Sequence, residues 1–508
     1  MLPKAENHWT LNEAAHLLNR AGFGGSPDEI RDLHAMGRHK AVEHLLNAKD
    51  DADFLPLPDW AEPEKAMEDA REFASMRRKY RQEMRDASSE ELEKKRREAF
   101  KSIQKMSRER GIEAQGWWFR RILRTKAPLS EKMTLFWHDH FATSIQKVKQ
   151  PVLMIRQNEM FRKHALGSFQ ELTAEVVEDP AMMLYLDTQN SKKGKPNENF
   201  AREVMELFTL GEGNYTEEDI RQAARAFTGY QLNRFNGEVS LNQRQWDDGE
   251  KTVFGKSGTF NGKDIVALIF EKPEAARFMT RKLWEFFVYE NPADGPIDAL
   301  AGAFQKSGFR VKPLLREIFL SREFYSEVSI RSQIKSPVQF TVSLLKQLEI
   351  ESPPPGFPIT AQQQLGQTLF LPPNVAGWDW GQAWINTNTL LTRYNLAGFL
   401  TKGTDNPMVA KGAGSKVAKK FSGKGMKDRA ARGWDGPDYE QIAPRSLRDN
   451  PEELMDALVF RFFQGPVPDK ARTSFIEYAI SKKGAIFTNK ETAELCHLML
   501  STPYYQLC

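Results

Sequence analysis

The sequence is poor in cysteine: only Cys496 and Cys508 occur among its 508 residues. Two cysteines cannot build a disulfide framework, and without a CxxC pair neither a zinc ribbon nor a thioredoxin-like redox centre is expected. No stretch of 18 consecutive apolar residues occurs, so the sequence predicts no membrane-spanning helix. The first residues form no apolar signal region, which makes the cytoplasm the default expected location.

Neither positive nor negative charge is in large excess. The 72 basic and 68 acidic residues leave a net charge of +4, which does not point to nucleic acid or a membrane surface as a partner. Several catalytic signatures are missing as well: a GxSxG elbow, a Walker A loop, a GxGxxG turn after a strand and an HExxH helix. Since 40% of the residues are apolar and 28% are charged, the composition is typical of a folded globular protein with a sizeable core.

Helix signals, in contrast, are frequent. Thr10 and Glu13 have the spacing of a capping box, and Ser26 followed by Pro27 is a typical helix start. Strand signals are few, and only residues 251–270 are predicted to hold a short hairpin. We therefore predict a mostly α fold: a large multi-helix orthogonal bundle with a projecting charged helical hairpin and at most one short β-hairpin.

Two segments differ from the rest in composition. Residues 62–110 contain 15 Lys or Arg and 12 Asp or Glu, and predict a charged helical-hairpin arm that is either a solvated structural element or a partner-docking surface. Residues 402–432 contain 9 basic and 2 acidic residues with scattered glycine. We predict a basic Gly-rich flexible loop over 402–446, between a main helical domain at 1–400 and a C-terminal helical unit at 447–508 that packs on it.

The first candidate site is a histidine pair, His138 and His140, that follows a helical segment. On a helix, residues i and i+2 point about 200° apart, so the two imidazoles can share a metal ion only in a more extended turn. Two interpretations stay open: a metal-binding or catalytic pair, and two hydrogen-bonded structural residues.

The second candidate is a predicted helix over 198–210. Asn199, Glu203 and Glu206 form a strip along the edge of its apolar face, and Glu203 is expected to be buried and paired because apolar residues flank it. Arg202 can pair with Glu206 one turn away, and Arg225 on the following helix can reach Glu203 or Glu206. The strip is therefore either a salt-bridge network or, together with the histidine pair, a ligand set that a divalent metal accepts.

The third candidate is a rigid loop rich in proline, glycine and tryptophan. Its tryptophans are Trp378, Trp380 and Trp384, with Asn and Gln side chains nearby. Such a loop can stack against a sugar and hydrogen-bond it, or it can pack across the core as a plug. Both interpretations stay open.

Six motifs, taken in order along the chain, resemble one family. They are His16–Gly24, Phe136–Ser144, Asp179–Met182, Asn197–Gly211, Ala226–Gly229 and Pro372–Trp378. Together they are similar to the bacterial domain-of-unknown-function family 1800, and the resemblance covers nearly the whole chain. Relatives often carry His in place of Phe208 and Trp246, so a metal-dependent activity of relatives is in doubt for this chain.

The resemblance implies little about function, because the family is uncharacterised. Its members are often exported, which leaves export open, and are often encoded beside a sulfatase- or phosphatase-like family, which makes a protein of that type an expected partner. We predict a binding or accessory protein that acts with a partner on an envelope or extracellular polymer. The ligand-binding candidates are Asn199, Arg202, Arg225, Trp378, Trp380 and Trp384.

The alternative is a metal-assisted hydrolase. Its catalytic and metal-ligating candidates are Glu203, Glu206, His138 and His140, and its cofactor would be a divalent metal. The sequence leaves open whether the chain is an enzyme.

Overall fold

Helices make up most of the structure, a computed structural model that describes residues 2–6, 8–51, 54–83, 89–234, 236–402, 436–482 and 487–508. The mostly α fold predicted from the sequence is confirmed. The helices before residue 190 are α1 (Leu11–Ala21), α2 (Pro27–Ala35), α3 (Arg38–Asn47), α4 (Pro63–Glu83), α5 (Ser89–Arg124), α6 (Pro128–His140), α7 (Ile145–Val148), α8 (Pro151–Lys163), α9 (Phe169–Val176) and α10 (Pro180–Tyr185).

The remaining elements are also mostly helices, with two small hairpins in the middle of the chain. They are α11 (Glu198–Met205), α12 (Glu217–Ala226), β1 (Tyr230–Leu232), β2 (Val239–Leu241), β3 (Lys251–Val253), β4 (Lys256–Gly258), α13 (Gly262–Glu271), α14 (Pro273–Phe287), α15 (Asp294–Lys306), α16 (Val311–Phe319), α17 (Pro337–Gln347), α18 (Phe357–Leu365), α19 (Thr387–Lys402), α20 (Tyr439–Ile442), α21 (Arg445–Arg448), α22 (Pro451–Phe462), α23 (Asp469–Lys482) and α24 (Asn489–Leu500).

Local capping decides where the first helices begin. Thr10 accepts a hydrogen bond from the backbone of Glu13, whose carboxylate accepts from the Thr10 backbone, so the predicted capping box is formed. Ser26 caps α2 in the same way, with Pro27 in its first turn. These contacts lie within one turn of chain, which is why sequence spacing alone predicts them.

The charged arm consists of α4 and α5. Residues 93–105 of α5 are all exposed, as expected for a projecting helix. The second arm helix is longer than the sequence indicated, because α5 continues to Arg124 and buries Trp117 and Trp118 in the body. Near the body, Arg110 of α5 pairs with Asp69 of α4 at 2.6 Å.

The strands are three residues long and pair as antiparallel hairpins, with Tyr230 opposite Leu241 and Lys251 opposite Gly258. The hairpin predicted within 251–270 is present at its start, but the rest of that range forms α13, which Asn261 caps. The hairpin of β1 and β2 was not predicted, because three-residue strands carry too little alternation to detect.

The predicted division into a main domain, a basic loop and a C-terminal unit stays a prediction. Most of the predicted loop, residues 403–435, lies outside the described residues. Its last part is helical: α20 falls within 402–446, and Tyr439 and Ile442 are buried there.

Helix α6 positions the candidate sites. Its residues 131–138 are all buried, and it packs against α1, α3, α5 and α8. The helix lies deep in the core, so its polar side chains must find partners inside the protein or face a cavity.

Candidate functional site

A pocket of about 60 Å³ opens between α6, the end of α14 and the tryptophan-rich loop. A volume of this size holds about four water molecules or one small group. The lining combines aromatic rings, carboxylates, amides and one amine: Phe286, Trp378, Trp380, Trp384, Asp139, Glu285, Glu290, Asp379, Gln333, Gln339, Gln367 and Lys132, among others. The tryptophan loop predicted as a candidate site therefore does line a pocket.

The three tryptophans of the loop have different environments. Trp378 and Trp384 are 4% and 6% exposed and pack into the core, as the plug interpretation expects. Trp380 is 44% exposed, and its ring meets the ring of Phe286 edge-on with centroids 5.2 Å apart. The loop is thus anchored by two buried rings and presents the third at the mouth of the pocket.

Asp139 fastens this loop to α6. Its Oδ1 accepts a hydrogen bond from the backbone N–H of Trp378 at 2.6 Å, and the side chain of Trp380 also bonds to it. A Cβ on Gly377, whose φ is 93°, would lie 2.4 Å from Oδ1, so this approach requires glycine. Burial raises the pKa of Asp139 to about 7, although the N–H of Trp378 and the Lys282 cation oppose the shift.

Glu290 approaches the same loop from the other side of the pocket. A Cβ on Gly381, whose φ is 54°, would lie 2.3 Å from its Oε1. Glu285 also lines the pocket, and burial raises the pKa of its carboxyl group. The mouth of the pocket is therefore acidic, and the two loop glycines allow carboxylates to approach the backbone closely.

Lys132 supplies the amine of the lining. It is 6% exposed, and its Nζ donates a hydrogen bond to Gln339 Oε1 at 2.7 Å. The ammonium lies over the rings of Phe23 and Phe286, at 5.0 and 5.5 Å from their centroids. Burial lowers the pKa of Lys132 to about 8, and no carboxylate of the described residues forms an ion pair with it.

The histidine pair does not form a shared site. Helix α6 continues through His140, so no extended turn brings the two rings together. His138 Nε2 accepts from the side-chain amide of Asn158 at 3.0 Å. His140 Nδ1 accepts from Lys282 Nζ at 3.1 Å, and its Nε2 donates to the carbonyl of Phe208 at 2.9 Å.

Burial lowers the pKa of both imidazoles well below the usual value, and nearby cations, Arg162 for His138 and Lys282 for His140, lower it further. Both rings are therefore neutral at physiological pH. Among the described residues, no three His, Cys, Asp or Glu side chains are grouped so that they could hold a metal ion. The geometry thus gives the predicted His–Glu metal site no support.

The predicted helix over 198–210 is in fact two elements: α11 and a π-helical turn, Glu206–Leu210. Glu203 is half-buried rather than buried, and it makes no ion pair or hydrogen bond with the part of the chain that is described. Burial and the neighbouring charge of Glu206 raise the pKa of its carboxyl group. Glu206 accepts a hydrogen bond from the hydroxyl of Tyr215.

The two arginines choose other partners than those predicted. Arg202 forms a two-bond pair with Glu217 of α12, at 2.8 and 2.7 Å, instead of binding Glu206. Arg225 binds Asp247 at 2.8 and 3.0 Å instead of Glu203 or Glu206. Helices α11 and α12 do pack together, but the loop after β2 brings Asp247 to the end of α12, where Arg225 lies.

Asn199 is exposed at the start of α11. Phe208 is buried against His140, with ring centroids 6.1 Å apart, and its carbonyl orients that imidazole. The acidic strip and the histidines are thus neighbours through the π-helical turn, but the side chains of Glu206 and the histidines bind different groups.

Sequence reasoning missed Lys132 and Asp139, which turned out to line the pocket. A weak signal was present: the two residues are seven positions apart in α6, which places them on one face of the helix. Glu285, Glu290 and Gln339 had no detectable signal, since they reach the pocket from α14, the segment after it and α17.

Family membership follows from the sequence as a whole. Residues 16–507 match the family described as "Protein of unknown function (DUF1800)", so the chain belongs to that family and the resemblance drawn from its motifs is confirmed. No curated protein and no solved structure matches the chain. Within the described part, no helix is both long and apolar enough to cross a membrane.

Proposed function

We propose that the chain is a binding or accessory protein that stacks one sugar unit of an envelope or extracellular polymer on Trp380, with a substituent of that sugar in the tryptophan pocket. The observation that carries this proposal is the exposed ring of Trp380 at the mouth of a pocket lined with amides and carboxylates. A sugar ring has an apolar face that stacks on an indole and hydroxyl groups that need hydrogen-bond partners on the other side.

The surroundings of Trp380 support a preformed platform. Trp378 and Trp384 are buried on either side of it, and Asp139 holds the loop through the backbone of Trp378. A platform that is already rigid loses little conformational entropy when a ligand binds. Gln339 and Gln367 offer amide groups inside the pocket, where sugar hydroxyls can donate and accept.

A binding role agrees better with this geometry than the metal-assisted hydrolase does. The hydrolase needs His138, His140, Glu203 and Glu206 to converge, but the two histidines and Glu206 bind other groups. The proposal includes a protein partner of sulfatase- or phosphatase-like type. In this role the chain binds the polymer and the partner carries out the chemical reaction on it.

The test is a titration of the purified chain with neutral oligosaccharides, cellohexaose and chitohexaose, and with acidic ones, followed by calorimetry and tryptophan fluorescence. Replacing Trp380 with Ala removes the stacking surface and should weaken binding at least tenfold, since such a contact contributes about 1–3 kcal/mol. Trp380→Phe should retain most of the affinity.

The matched control is Leu391→Ala, an equally exposed apolar residue of α19 that does not line the pocket. It should bind like the unmodified chain. Equal affinity of Trp380→Ala and the unmodified chain, or no binding of any oligosaccharide, would contradict the proposed function.

A further inference from the structure

We infer that the inner wall of this pocket is a site for a single anionic group, a carboxylate or a sulfate ester carried by the sugar, bound by the amine of Lys132 and the indole N–H of Trp378. The inference rests on the proposed function and adds the chemical class of the ligand. Each of its steps depends on a donor that the described protein leaves unsatisfied.

The first donor is the ammonium of Lys132. It has three N–H groups, and one of them binds Gln339 Oε1. The side-chain N–H of Gln339 donates to the carbonyl of Asn19 at 2.9 Å, which fixes the amide so that its oxygen faces the amine. The two remaining N–H groups have no acceptor among the described residues, although the side chain is 94% buried and lines the pocket.

The second donor is the indole Nε1 of Trp378. It is buried and has no hydrogen-bond partner in the described part of the chain. The backbone N–H of the same residue is satisfied by Asp139, so the loop position is already fixed without the ring nitrogen. A buried donor without an acceptor is costly. Trp378 lines the pocket, so a small turn of its side chain on ligand binding would let a ligand oxygen accept from the indole N–H.

Together the two donors favour an anion over a neutral acceptor. Hydrogen bonds between a charged donor and a charged acceptor are about twice as strong as neutral ones. The rings of Phe23 and Phe286 lie over the ammonium, and a buried ammonium attracts an anion more strongly than one in bulk water does. No described carboxylate forms an ion pair with the ammonium, and the negative group of Cys508, which opposes the lowering of the Lys132 pKa, does so without an ion-pair contact.

The acidic lining limits how much negative charge the ligand carries. Asp139, Glu285 and Glu290 line the same pocket and would repel negative charge beyond the one group that Lys132 binds. The preferred ligand is therefore a sugar unit with one acidic substituent and otherwise neutral hydroxyls, not a densely charged polymer.

The closing experiment compares five probes by calorimetry: cellohexaose, a disaccharide with a single uronic acid, a singly sulfated disaccharide, and the simple ions acetate and sulfate. We expect one acidic sugar to bind at least tenfold more tightly than the neutral one. Lys132→Met removes one donor and nearly keeps the side-chain volume, and Trp378→Phe removes the other donor and retains an aromatic ring of smaller size. Each should reduce that preference about tenfold.

Lys346→Met is the control, because Lys346 of α17 is paired with Glu29 and does not line the pocket. It should keep the full preference. Thermal unfolding of all variants verifies that they fold, and because Lys132→Met and Trp378→Phe are independent, one poorly folded variant leaves the other as the test.

The outcomes separate the two proposals. Neutral and acidic sugars that bind equally, with sensitivity to Trp380→Ala, overturn the anion site and leave the proposed function standing. Simple anions that bind in a Lys132-dependent way, while no sugar binds, support the anion site and overturn the sugar-binding function. An acidic preference that survives both donor variants overturns the site, and no binding of any probe overturns both proposals.

Discussion

Glu131 and Lys132 are neighbours in α6, carry opposite charges and are both buried, yet the protein treats them differently. Glu131 is 1% exposed and accepts hydrogen bonds from Trp118 at 3.1 Å, from Arg121 at 3.1 Å and from Arg162 at 3.0 Å. Burial alone would raise the pKa of its carboxyl group, but the two arginines and the indole outweigh it and lower the pKa. Glu131 is therefore fully compensated.

Lys132 lies about 100° around the helix from Glu131 and has less compensation: among nearby charges, only the negative group of Cys508 opposes the lowering of its pKa. Its ammonium has one amide acceptor and two aromatic rings, and burial lowers its pKa to about 8. The comparison teaches that a buried charge with a complete set of partners stabilises the fold, whereas a buried charge with free donors beside a cavity is available to a ligand. Four substitutions test this difference.

The largest effect is expected at Glu131. Glu131→Gln leaves Arg121 and Arg162 buried without their carboxylate, and should lower the free energy of unfolding by about 3–5 kcal/mol, the range for breaking a buried ion pair. Urea unfolding followed by circular dichroism measures this. Glu159→Gln is the control: it also pairs with Arg162, but its side chain is 40% exposed, so a loss below about 1 kcal/mol is expected. Equal losses of unfolding free energy in Glu131→Gln and Glu159→Gln would contradict the assignment of Glu131 as a buried, fully paired carboxylate.

The next effect concerns Asp139 and depends on pH. Its pKa is about 7 in the folded chain against 3.8 for the free side chain, so between these values the folded state binds more protons and stability falls as pH rises. Asp139→Asn lacks this dependence and still accepts the Trp378 N–H. It should gain about 1–2 kcal/mol at pH 8, after allowance for partial exposure, and little near pH 4.

Asp247 provides a comparison of opposite sign for that experiment. The hydrogen bonds from Arg225 lower the pKa of Asp247, so its contribution is present at neutral pH and is lost in acid. Asp247→Asn should therefore be less stable than the unmodified chain at pH 8 and similar to it at low pH. Unfolding curves with the same sign for both variants would contradict the assignment of Asp139 as an uncompensated acid.

A smaller gain is expected at Lys132. Its pKa is about 8 when folded and 10.5 for the free side chain, so between these values the unfolded state binds more protons and stability rises with pH. Below pH 8 the full cost of the buried charge is present. Lys132→Met should thus gain about 1 kcal/mol at pH 7, with the gain shrinking towards pH 10.5. A clear loss at pH 7 would make Lys132 a structural residue like Glu131.

The smallest effect concerns the acidic strip next to the π-helical turn. Tyr215→Phe removes the hydroxyl that donates to Glu206, in a half-exposed position, and should cost about 0.5–1 kcal/mol in thermal unfolding. Tyr394→Phe is the control, since Tyr394 is exposed and its hydroxyl makes no hydrogen bond with the described residues. A loss of several kcal/mol at Tyr215 would mean that this strip, not α6, contains the critical polar contacts.

The sequence predicted the elements better than it predicted the contacts. The capping box at Thr10 and the helix start at Ser26 were predicted correctly because the atoms involved lie within one turn of chain. The partners of Arg202 and Arg225 were wrong because each arginine has several carboxylates within reach, and only the packing of α11, α12 and the hairpin loops selects among them.

The candidate site shows the same division. The tryptophans of the loop could be singled out from their spacing and from the glycines and prolines around them. The sequence could not predict which of the rings is exposed, because burial of Trp378 and Trp384 depends on helices far away in the chain. The geometry gives the metal site proposed for His138 and His140 no support for a related reason: the helix continues through both residues and turns their rings apart.

By itself, the sequence determined that this protein is helical, that it belongs to its family, and which loop is rich in stacking side chains, because helix caps, amphipathic spacing and motif order are local properties. Only the tertiary structure decided which polar groups meet. Asp139 reaches Trp378 across 239 positions and Lys132 reaches Gln339 across 207. Glu131 and Lys132 point about 100° apart around α6. Glu131 therefore pairs with arginines in the core, whereas Lys132 is a donor beside the pocket.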